Sequence, residues 1–254
     1  MVKGLVSVIT PMYNSEKTIS RTIESVINQS YNKWEMIIVD DGSSDKSADV
    51  VKEYCKRESR ILFFQNEEKK GVSYARNRAI NMSRGQYIAF LDSDDWWKAE
   101  KIEKQIACFG DNECAIVYSE CVVVNEKGRE TGKIRYVPEN ITYRELLKGN
   151  VIPCLTVVID RKRIKNGKQD RVKMKDVGHE DYALWLELLR EGNVAKGIKE
   201  PLAYYRETSS SLSGNKLKSM IWNWKILYKE EKLGVFRSCF YMVNYIFKSI
   251  IKRF

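Results

Sequence analysis

Residues 85–95 of the chain read Gly85-Gln86-Tyr87-Ile88-Ala89-Phe90-Leu91-Asp92-Ser93-Asp94-Asp95. The stretch contains an unbroken apolar run at residues 87–91 and ends in a loop with three carboxylates. A short apolar run of this kind is typical of a strand that is buried on both faces of a sheet. The stretch therefore predicts a central strand of a parallel sheet, with an acidic loop at the carboxyl end of that strand.

Similar apolar runs precede this strand at residues 5–10, 34–39 and 61–65, and helical patterns lie between them at residues 18–28, 45–57 and 72–82. The alternation predicts an α/β fold with a Rossmann-like, mixed but mostly parallel sheet flanked by helices. No Gly-x-Gly-x-x-Gly follows the first run, and no Gly-x-x-x-x-Gly-Lys-Ser/Thr occurs in the sequence. These absences disfavour a nicotinamide dehydrogenase and a P-loop ATPase.

Composition narrows the class of protein further. The 254 residues are 43% hydrophobic, which is enough for a packed core, and the formal net charge is +10. The six cysteines form no Cys-x-x-Cys pair and the chain has one histidine, so a structural zinc site is not expected. The amino-terminal residues lack the pattern of a secretory signal, which predicts a cytoplasmic, reducing location.

The regular alternation weakens after residue 95. Helical patterns occur at residues 99–109 and 181–191, strand patterns at 115–119 and 155–160, and a turn at 126–129. Because no linker or repeat interrupts the pattern, we predict one domain over residues 1–212. It has two halves, at 1–97 and 98–212. A basic, amphipathic helical tail follows at 213–254.

Polar clusters follow three of the predicted strands, at residues 10–14, 40–45 and 92–95. One cluster alone would indicate a turn or a helix cap, but three at one edge of a sheet predict a ligand crevice. Asp40 and Asp41 suit hydrogen bonds to a uracil imide and to ribose hydroxyls, because carboxylates accept hydrogen bonds in fixed directions. The alternative is that they cap the helix that begins near Asp45.

The acidic loop is a candidate metal site. Asp92, Asp94 and Asp95 would repel one another, and this raises carboxylate pKa values unless a cation is bound. Mn²⁺ or Mg²⁺, held by one or two of these carboxylates and by a substrate diphosphate, would relieve the repulsion. A solvated acidic turn is the alternative.

Four segments of the chain resemble the family 2 glycosyltransferases of the GT-A fold. They are Val8-Ile9-Thr10-Pro11-Met12-Tyr13-Asn14, Val39-Asp40-Asp41-Gly42-Ser43-Ser44-Asp45, Gly71-Val72-Ser73-Tyr74-Ala75-Arg76-Asn77 and residues 85–95. The resemblance implies a metal-dependent, inverting transfer from a nucleotide-sugar, with UDP as the expected carrier. It also implies that residues 1–212 are a catalytic domain, with a nucleotide-binding half at 1–97 and an acceptor-binding half at 98–212. The expected acceptor is a hydroxyl of a glycan or of a lipid-linked saccharide. Family members with such tails often build bacterial surface polysaccharides such as O-antigen, capsule or teichuronic acid.

The same resemblance assigns roles to the matching residues. Asp94 would bind the metal, Asp92 the ribose or the metal, and Arg76 the donor nucleotide or its phosphates, unless Arg76 is a surface residue paired with an acid. Arg206 would clamp the leaving diphosphate from a flexible segment, followed by a mobile lid at residues 209–214. The base and ribose would contact Thr10, Pro11, Tyr13, Asp40 and Asp41.

Gly178-His179-Glu180-Asp181-Tyr182 resembles the acidic motif of the family on the acceptor side. An inverting transfer needs a general base that takes the proton of the attacking hydroxyl. The resemblance gives this role to Asp181, with Glu180 as the second choice. The alternative is that the two acids compensate the dipole of a helix that begins here. The roles of His179 and Asp95 stay open.

The tail carries most of the net charge. Residues 215–254 hold nine basic and two acidic side chains, a surplus of seven, and include the aromatic residues Trp222, Trp224 and Tyr228. Its longest uncharged stretch is too short to span a bilayer, so a cationic segment on an anionic membrane surface fits better. That would place the enzyme beside a lipid-linked acceptor at the inner face of the cytoplasmic membrane. The alternative is packing on the catalytic domain or on the second subunit of a homodimer.

Other classes of protein fit the sequence less well. A sugar-phosphate nucleotidyltransferase shares the general fold, but a glycine-rich basic loop would be expected in place of residues 10–14. A nucleic acid partner is not expected, because the charge is concentrated in an apolar tail without a recognised binding motif. A sugar-binding scaffold without turnover is the remaining alternative.

Overall fold

The structure is a computed structural model that describes residues 1–111, 113–165, 172–208 and 216–251. Its strands are β1 (Val2–Met12), β2 (Trp34–Asp40), β3 (Ile61–Gln65), β4 (Gly85–Phe90), β5 (Trp96–Trp97), β6 (Ile116–Val124), β7 (Glu130–Arg135), β8 (Asn140–Ile141), β9 (Val158–Asp160) and β10 (Ala195–Arg206). Its α-helices are α1 (Ile19–Ile27), α2 (Ser47–Arg57), α3 (Val72–Met82), α4 (Lys101–Asp111), α5 (Tyr143–Leu146), α6 (Glu180–Arg190), α7 (Lys216–Lys225) and α8 (Gly234–Ile251).

The described strands form one mixed sheet in the order β3-β2-β1-β4-β9-β6-β10-β5, with β7 paired to β6 and β8 to β10. β3, β2, β1 and β4 run parallel, and β6 runs parallel to β10. The short strand β9 lies antiparallel between β4 and β6 and joins the two parallel parts. The predicted mixed, mostly parallel sheet is therefore confirmed.

Both faces of the sheet are covered by helices, and this explains the unbroken apolar runs. Neighbouring residues of β1 face opposite cores: Val8 packs in the cluster that contains Ile23 of α1, and Ile9 in the cluster that contains Ala79 of α3. All of these side chains are buried. Because neither face of the central strands contacts water, no polar alternation is present in their sequences.

The long strand β10 is the main element that the sequence analysis missed. Its charged residues, with Gly197 and Pro201, hide the strand pattern, but it pairs with β6 along most of its length, with register shifts around Pro201. The expectation that Arg206 lies on a flexible segment is wrong, because Arg206 is the last residue of β10 and pairs with Val124. The proposed lid at 209–214 and the domain boundary after residue 212 lie outside the described residues.

The tail is helical, as predicted. A π-helical turn at Ile226–Glu230 links α7 to α8. Ile226, Leu227 and Met242 are buried in the same core as Trp185 of α6, so one side of the tail packs on the α/β sheet. Within the described ranges, no helix combines the length and the hydropathy needed to cross a bilayer.

The amino ends of β1 and β4 approach each other so closely that a side chain at Gly85 has no space. A Cβ atom on Gly85 would lie 2.6 Å from the Leu5 carbonyl oxygen and 2.6 Å from Ser7 Oγ. Ser7 Oγ also accepts a hydrogen bond from the Gly85 N–H at 2.9 Å and donates to the buried Glu35 of β2 at 2.6 Å. Gly85 is therefore required by the strand register.

We expect Gly85→Ala to lower the free energy of unfolding by about 1–3 kcal/mol, because β1 and β4 must separate to admit the methyl group. Urea unfolding followed by circular dichroism measures the effect. Gly110→Ala is the matched control, since its Cβ would meet no atom within 4 Å. Equal stability of the two variants would contradict the explanation.

Candidate functional site

The loops after β1 and β2 are tied together at the carboxyl edge of the sheet. Asn14 has a positive φ of 48°, and its N–H donates to Ser43 Oγ at 2.9 Å. Its side-chain oxygen Oδ1 accepts from the Ser44 N–H at 2.9 Å. Two of the predicted polar clusters therefore form one wall of the crevice.

The residues expected at the nucleotide base occupy this wall. Thr10 and Pro11 are buried at the end of β1, and the Thr10 hydroxyl has no hydrogen-bond partner among the described residues. Tyr13 is 41% exposed and lies under the Lys69 ammonium, which is 3.6 Å from the ring centroid. A buried hydroxyl without a partner and an exposed aromatic ring are suitable contacts for a heterocyclic base.

Asp40 and Asp41 also hold the protein chain together. Asp40 accepts from the Ser43 N–H at 3.0 Å and from Gln65 Nε2 at 3.0 Å. Asp41 accepts from the backbone N–H groups of Lys70 and Gly71 at 2.9 and 2.7 Å, and from Asn66 Nδ2. These bonds fix the start of α3. They were not foreseen, and contacts of either aspartate with a base or ribose stay a prediction.

Arg76 of α3 connects the acidic loop to the start of α6. The residue is 5% exposed, its Nη2 donates to Asp92 Oδ1 at 2.6 Å and its Nη1 donates to Glu180 Oε1. Burial alone would lower the pKa of Arg76, but the charges of Asp92 and Glu180 outweigh this, and the pKa lies well above its ordinary value. Arg76 is therefore not a surface residue, and its guanidinium joins the two sides of the crevice.

The aspartates of the acidic loop differ in their burial and in their pKa values. Burial, followed by repulsion from Asp92, raises the pKa of the half-buried Asp94 to about 6. Asp95 is 2% exposed, and burial with repulsion from Asp94 raises its pKa well above the ordinary value. Carboxylates in this condition bind a divalent cation favourably, because the cation offsets their repulsion.

Asp95, whose role the sequence left open, anchors the end of β10. Its Oδ1 accepts from the Arg206 backbone N–H at 2.7 Å, and Arg206 Nε donates to the Asp94 carbonyl oxygen at 2.9 Å. The Arg206 guanidinium therefore lies against the acidic loop, where the sequence analysis expected a contact with the leaving diphosphate.

Asp181 and Glu180 occupy the first turn of α6, opposite the acidic loop. Asp181 Oδ2 accepts from Asn150 Nδ2 at 3.1 Å. Burial raises the pKa of both carboxyl groups, although the charge of Arg76 opposes the increase. The half-buried His179 lies edge-on to Trp222 of α7 with 5.2 Å between ring centroids, and burial lowers its pKa. A carboxyl group with a raised pKa is suited to accepting a proton near neutral pH.

Cys154 is a site residue that the sequence analysis missed. It begins the 3₁₀ turn Cys154–Thr156, and its thiol interacts electrostatically with Arg76, Asp92 and Asp181. Burial raises the pKa of the thiol well above its ordinary value, so it stays protonated at neutral pH. No sequence pattern around residue 154 indicated this position.

The described part of the chain contains no group of three or more His, Cys, Asp or Glu side chains arranged to hold a metal ion. Asp94 and Asp92 are instead a pair of oxygen donors. A pair of this kind fits Mn²⁺ or Mg²⁺, which commonly take their other ligands from water and substrate phosphates.

This arrangement, a mixed α/β sheet with an acidic loop after β4 and an acidic helix start facing it, is that of a GT-A glycosyltransferase. The chain belongs to the family described as glycosyl transferase family 2, whose sequence profile matches residues 7–166. It is therefore a glycosyltransferase. The family resemblance in the sequence is confirmed, and membership decides against the sugar-phosphate nucleotidyltransferase.

Relatives that match nearly the whole chain include two named glycosyltransferases. TuaG of Bacillus subtilis (strain 168), assigned to teichuronic acid biosynthesis as a glycosyltransferase, is 39% identical over 251 residues, which cover 99% of this chain and 98% of TuaG. WfgD of Escherichia coli, a UDP-Glc:alpha-D-GlcNAc-diphosphoundecaprenol beta-1,3-glucosyltransferase, is 39% identical over 251 residues, covering 98% of this chain and 94% of WfgD.

Solved structures agree with the fold. Residues 1–349 of S. aureus TarS in complex with UDP-GlcNAc match with a TM-score of 0.69 at 19% identity, over 88% of this chain and 66% of that chain. The mannosyltransferase PcManGT from Pyrobaculum calidifontis, in complex with GDP-Man and Mn²⁺, matches with a TM-score of 0.68 at 17% identity, over 91% of this chain and 65% of that chain. At these identities, the likeness supports the fold alone.

We expect Arg76→Met to lower the free energy of unfolding by about 3–5 kcal/mol, because it leaves the buried carboxylate of Glu180 without its cation. Adding Glu180→Gln removes the unpaired charge and should restore part of the loss. Urea unfolding of the two single variants and the double variant measures the coupling. The exposed Arg57→Met serves as control and should change stability by less than about 0.5 kcal/mol. A double variant less stable than Arg76→Met alone would refute this account.

Proposed function

We propose that the protein transfers a sugar from a UDP-sugar to a hydroxyl of a glycan or lipid-linked saccharide, with inversion at the anomeric carbon, in bacterial surface polysaccharide synthesis. The observation that carries the proposal is the Arg76 guanidinium, which binds Asp92 of the acidic loop and Glu180 beside Asp181. It brings the proposed donor loop and the proposed general base to one crevice.

In the proposed reaction, the Asp181 carboxylate takes the proton of the acceptor hydroxyl as its oxygen attacks the anomeric carbon. The new carbon–oxygen bond forms on the face opposite the leaving group. The bond from the anomeric carbon to the phosphate oxygen breaks, and UDP leaves with that electron pair. Asn150 holds the Asp181 side chain in place, and the hydrogen bond that its Nδ2 donates also stabilises the charged form of Asp181.

A divalent cation, Mn²⁺ or Mg²⁺, is part of the proposal. Asp94 and Asp92 would hold it, and when bound it neutralises the charge that develops on the leaving diphosphate. The raised pKa of Asp94 supports this, since a carboxylate that is costly to ionise alone gains most from a bound cation. The Mn²⁺ in the PcManGT complex supports it by analogy.

The substrates are proposed from the relatives. WfgD takes glucose from UDP-Glc to a GlcNAc linked through diphosphate to undecaprenol, and TuaG is assigned to teichuronic acid synthesis. Thr10, Pro11, Tyr13, Asp40 and Asp41 would bind the nucleoside, and Arg206 the diphosphate.

The proposed location is the cytoplasmic face of the bacterial membrane, where a lipid-linked acceptor is within reach. The positive surplus of the tail supports contact with anionic lipid. The six cysteines, all of which lie in the described ranges, form no disulfide. The alternative is that the tail forms the contact between the two subunits of a homodimer.

Asp181→Asn should lower kcat by about a hundredfold to ten thousandfold, with little change in donor affinity, because the amide cannot accept the proton. The assay uses UDP-glucose as donor and a GlcNAc-diphosphate-lipid analogue as acceptor, and it measures the rate at which UDP is released. The coupling constant of the product's anomeric proton gives the stereochemistry, and Asp49→Asn on the exposed face of α2 is the control.

Full turnover by Asp181→Asn would exclude Asp181 as the base. An α-linked product would overturn inversion, and release of pyrophosphate in place of UDP would overturn glycosyl transfer itself.

Because the pKa of Asp94 is raised to about 6, Mn²⁺ binding should weaken as the pH falls below this value. Protonation then competes with the metal, and affinity should fall by about tenfold per pH unit. Titration calorimetry of Mn²⁺ into the protein with UDP, at several pH values on either side of the midpoint, measures the dependence. Asp94→Asn should bind weakly at every pH, and an unchanged profile in this variant would exclude Asp94 as a ligand.

A further inference from the structure

Helix α8 is apolar on two opposite faces. Its inner face carries Met242, which is buried in the core, with Tyr241 and Tyr245 packed beside it. Its outer face carries Phe236, Phe240, Val243 and Phe247, which recur at the spacing of one helical face. These four side chains are 93%, 60%, 66% and 64% exposed, respectively. We call these four residues the outer face of α8.

Helix α7 and the π-helical turn, which precede α8 in the chain, also carry exposed apolar side chains. Leu217 and Ile221 of α7 are 74% and 53% exposed, and Tyr228 is 42% exposed. Single exposed apolar residues are ordinary on a protein surface, but a continuous stripe on a packed helix marks a contact surface. The inner face already stabilises the tail on the domain, so the fold does not require the outer stripe.

The basic residues that precede α8 and lie in its first turn point to an anionic partner. Lys225, Lys229, Lys232 and Arg237 are exposed, and none forms an ion pair within the described part of the chain. The two acids of the tail bind cations of the catalytic domain: Glu230 pairs with Lys175 at 2.9 Å, and Glu231 pairs with Arg190 at 2.8 Å. The tail therefore presents these four basic side chains to solvent, because its own two acids are paired with cations of the catalytic domain.

The tail also lies directly against the segments that hold the proposed base. The Tyr245 ring lies over Gly149, where an added Cβ would be 3.4 Å from the ring, and the next residue, Asn150, donates to Asp181. Trp222 fills the space over Gly178, where a Cβ would collide with the indole, and it contacts His179. A partner that binds the tail therefore lies close to the acceptor side of the crevice.

We propose that the outer face of α8 inserts into the interface of an anionic phospholipid bilayer, with Lys225, Lys229, Lys232 and Arg237 bound to the headgroups. Aromatic side chains enter the boundary between headgroups and acyl chains, and each nearby cation adds electrostatic attraction. The consequence for a lipid-linked acceptor rests on the proposed function, but the membrane contact itself does not.

A second copy of the chain fits this surface less well. A symmetric dimer through α8 would bring two identical sets of uncompensated cations together, and like charges across an interface are unfavourable. An anionic bilayer can bind both the apolar outer face of α8 and the basic side chains.

Flotation with vesicles tests the proposal. The parent protein should float with vesicles of phosphatidylglycerol and phosphatidylcholine, bind far less to phosphatidylcholine alone, and dissociate as salt is raised. The Phe236→Ser/Phe240→Ser variant should lose at least about tenfold in vesicle binding. The matched control is Tyr136→Ser/Val194→Ser, which removes two exposed apolar residues outside the tail (74% and 49% exposed) and should bind as the parent does.

A second variant, Lys225→Gln/Lys229→Gln/Lys232→Gln, tests the charges without touching the stripe. It should keep the fold and lose the preference for phosphatidylglycerol. Light scattering measures the oligomeric state of each protein. Parent-like vesicle binding by both variants would overturn the proposal, as would a parent dimer that Phe236→Ser/Phe240→Ser converts to monomer without change in vesicle binding.

Turnover separates this inference from the proposed function. With a water-soluble, short-chain acceptor, the Phe236→Ser/Phe240→Ser variant should keep the parent's kcat. The Asp181→Asn variant should bind vesicles as the parent does. A parent protein that binds vesicles but transfers no sugar would overturn the proposed function and leave the membrane surface standing.

Discussion

The crevice depends on one buried guanidinium. Arg76 can stay charged in a dry environment only because Asp92 and Glu180 face it from two sides. Its helix is held in turn by Asp41, which accepts hydrogen bonds from the N–H groups of Lys70 and Gly71, directly before α3. A hydrogen-bonded path therefore leads from the end of β2 through α3 to the acidic loop and to α6. The two carboxyl groups at the start of α6 are positioned by residues far away in the chain.

The sequence predicts those features that local patterns can express. Residues 61–65 and 72–82 were predicted with the bounds that β3 and α3 have, because continuous apolar runs and amphipathic periodicity are local properties. The same holds for the polar strand ends, which the parallel arrangement brings to one edge. The pairing of Arg76 with Glu180 joins residues 104 positions apart and leaves no trace in local spacing. β10 was missed because it is stabilised mainly by its pairing with β6, and its own sequence shows little of the pattern of a strand.

Carboxylates were the residues whose tasks the sequence described least completely. Asp40, Asp41 and Asp95 all accept hydrogen bonds from the chain, and a carboxylate has enough lone pairs to do this and still face a ligand. In a sequence alone, an acidic residue at a strand end is interpreted as either a helix cap or a ligand contact. Asp94 is half-buried and Asp95 is fully buried, and this difference separates the proposed metal ligand from the residue that anchors β10. The burial of each residue depends on the whole fold.

The packing of the tail also affects how the chain matures. Ile226, Leu227 and Met242 complete the core that contains Phe90 and Trp185. During synthesis, the apolar side of α6 therefore emerges from the ribosome well before the residues that cover it. Domains form from the amino terminus onward as they are made, and uncovered apolar surface favours aggregation. The nascent enzyme thus has an interval in which its sheet is assembled but its core is open, and this interval ends when residue 242 packs.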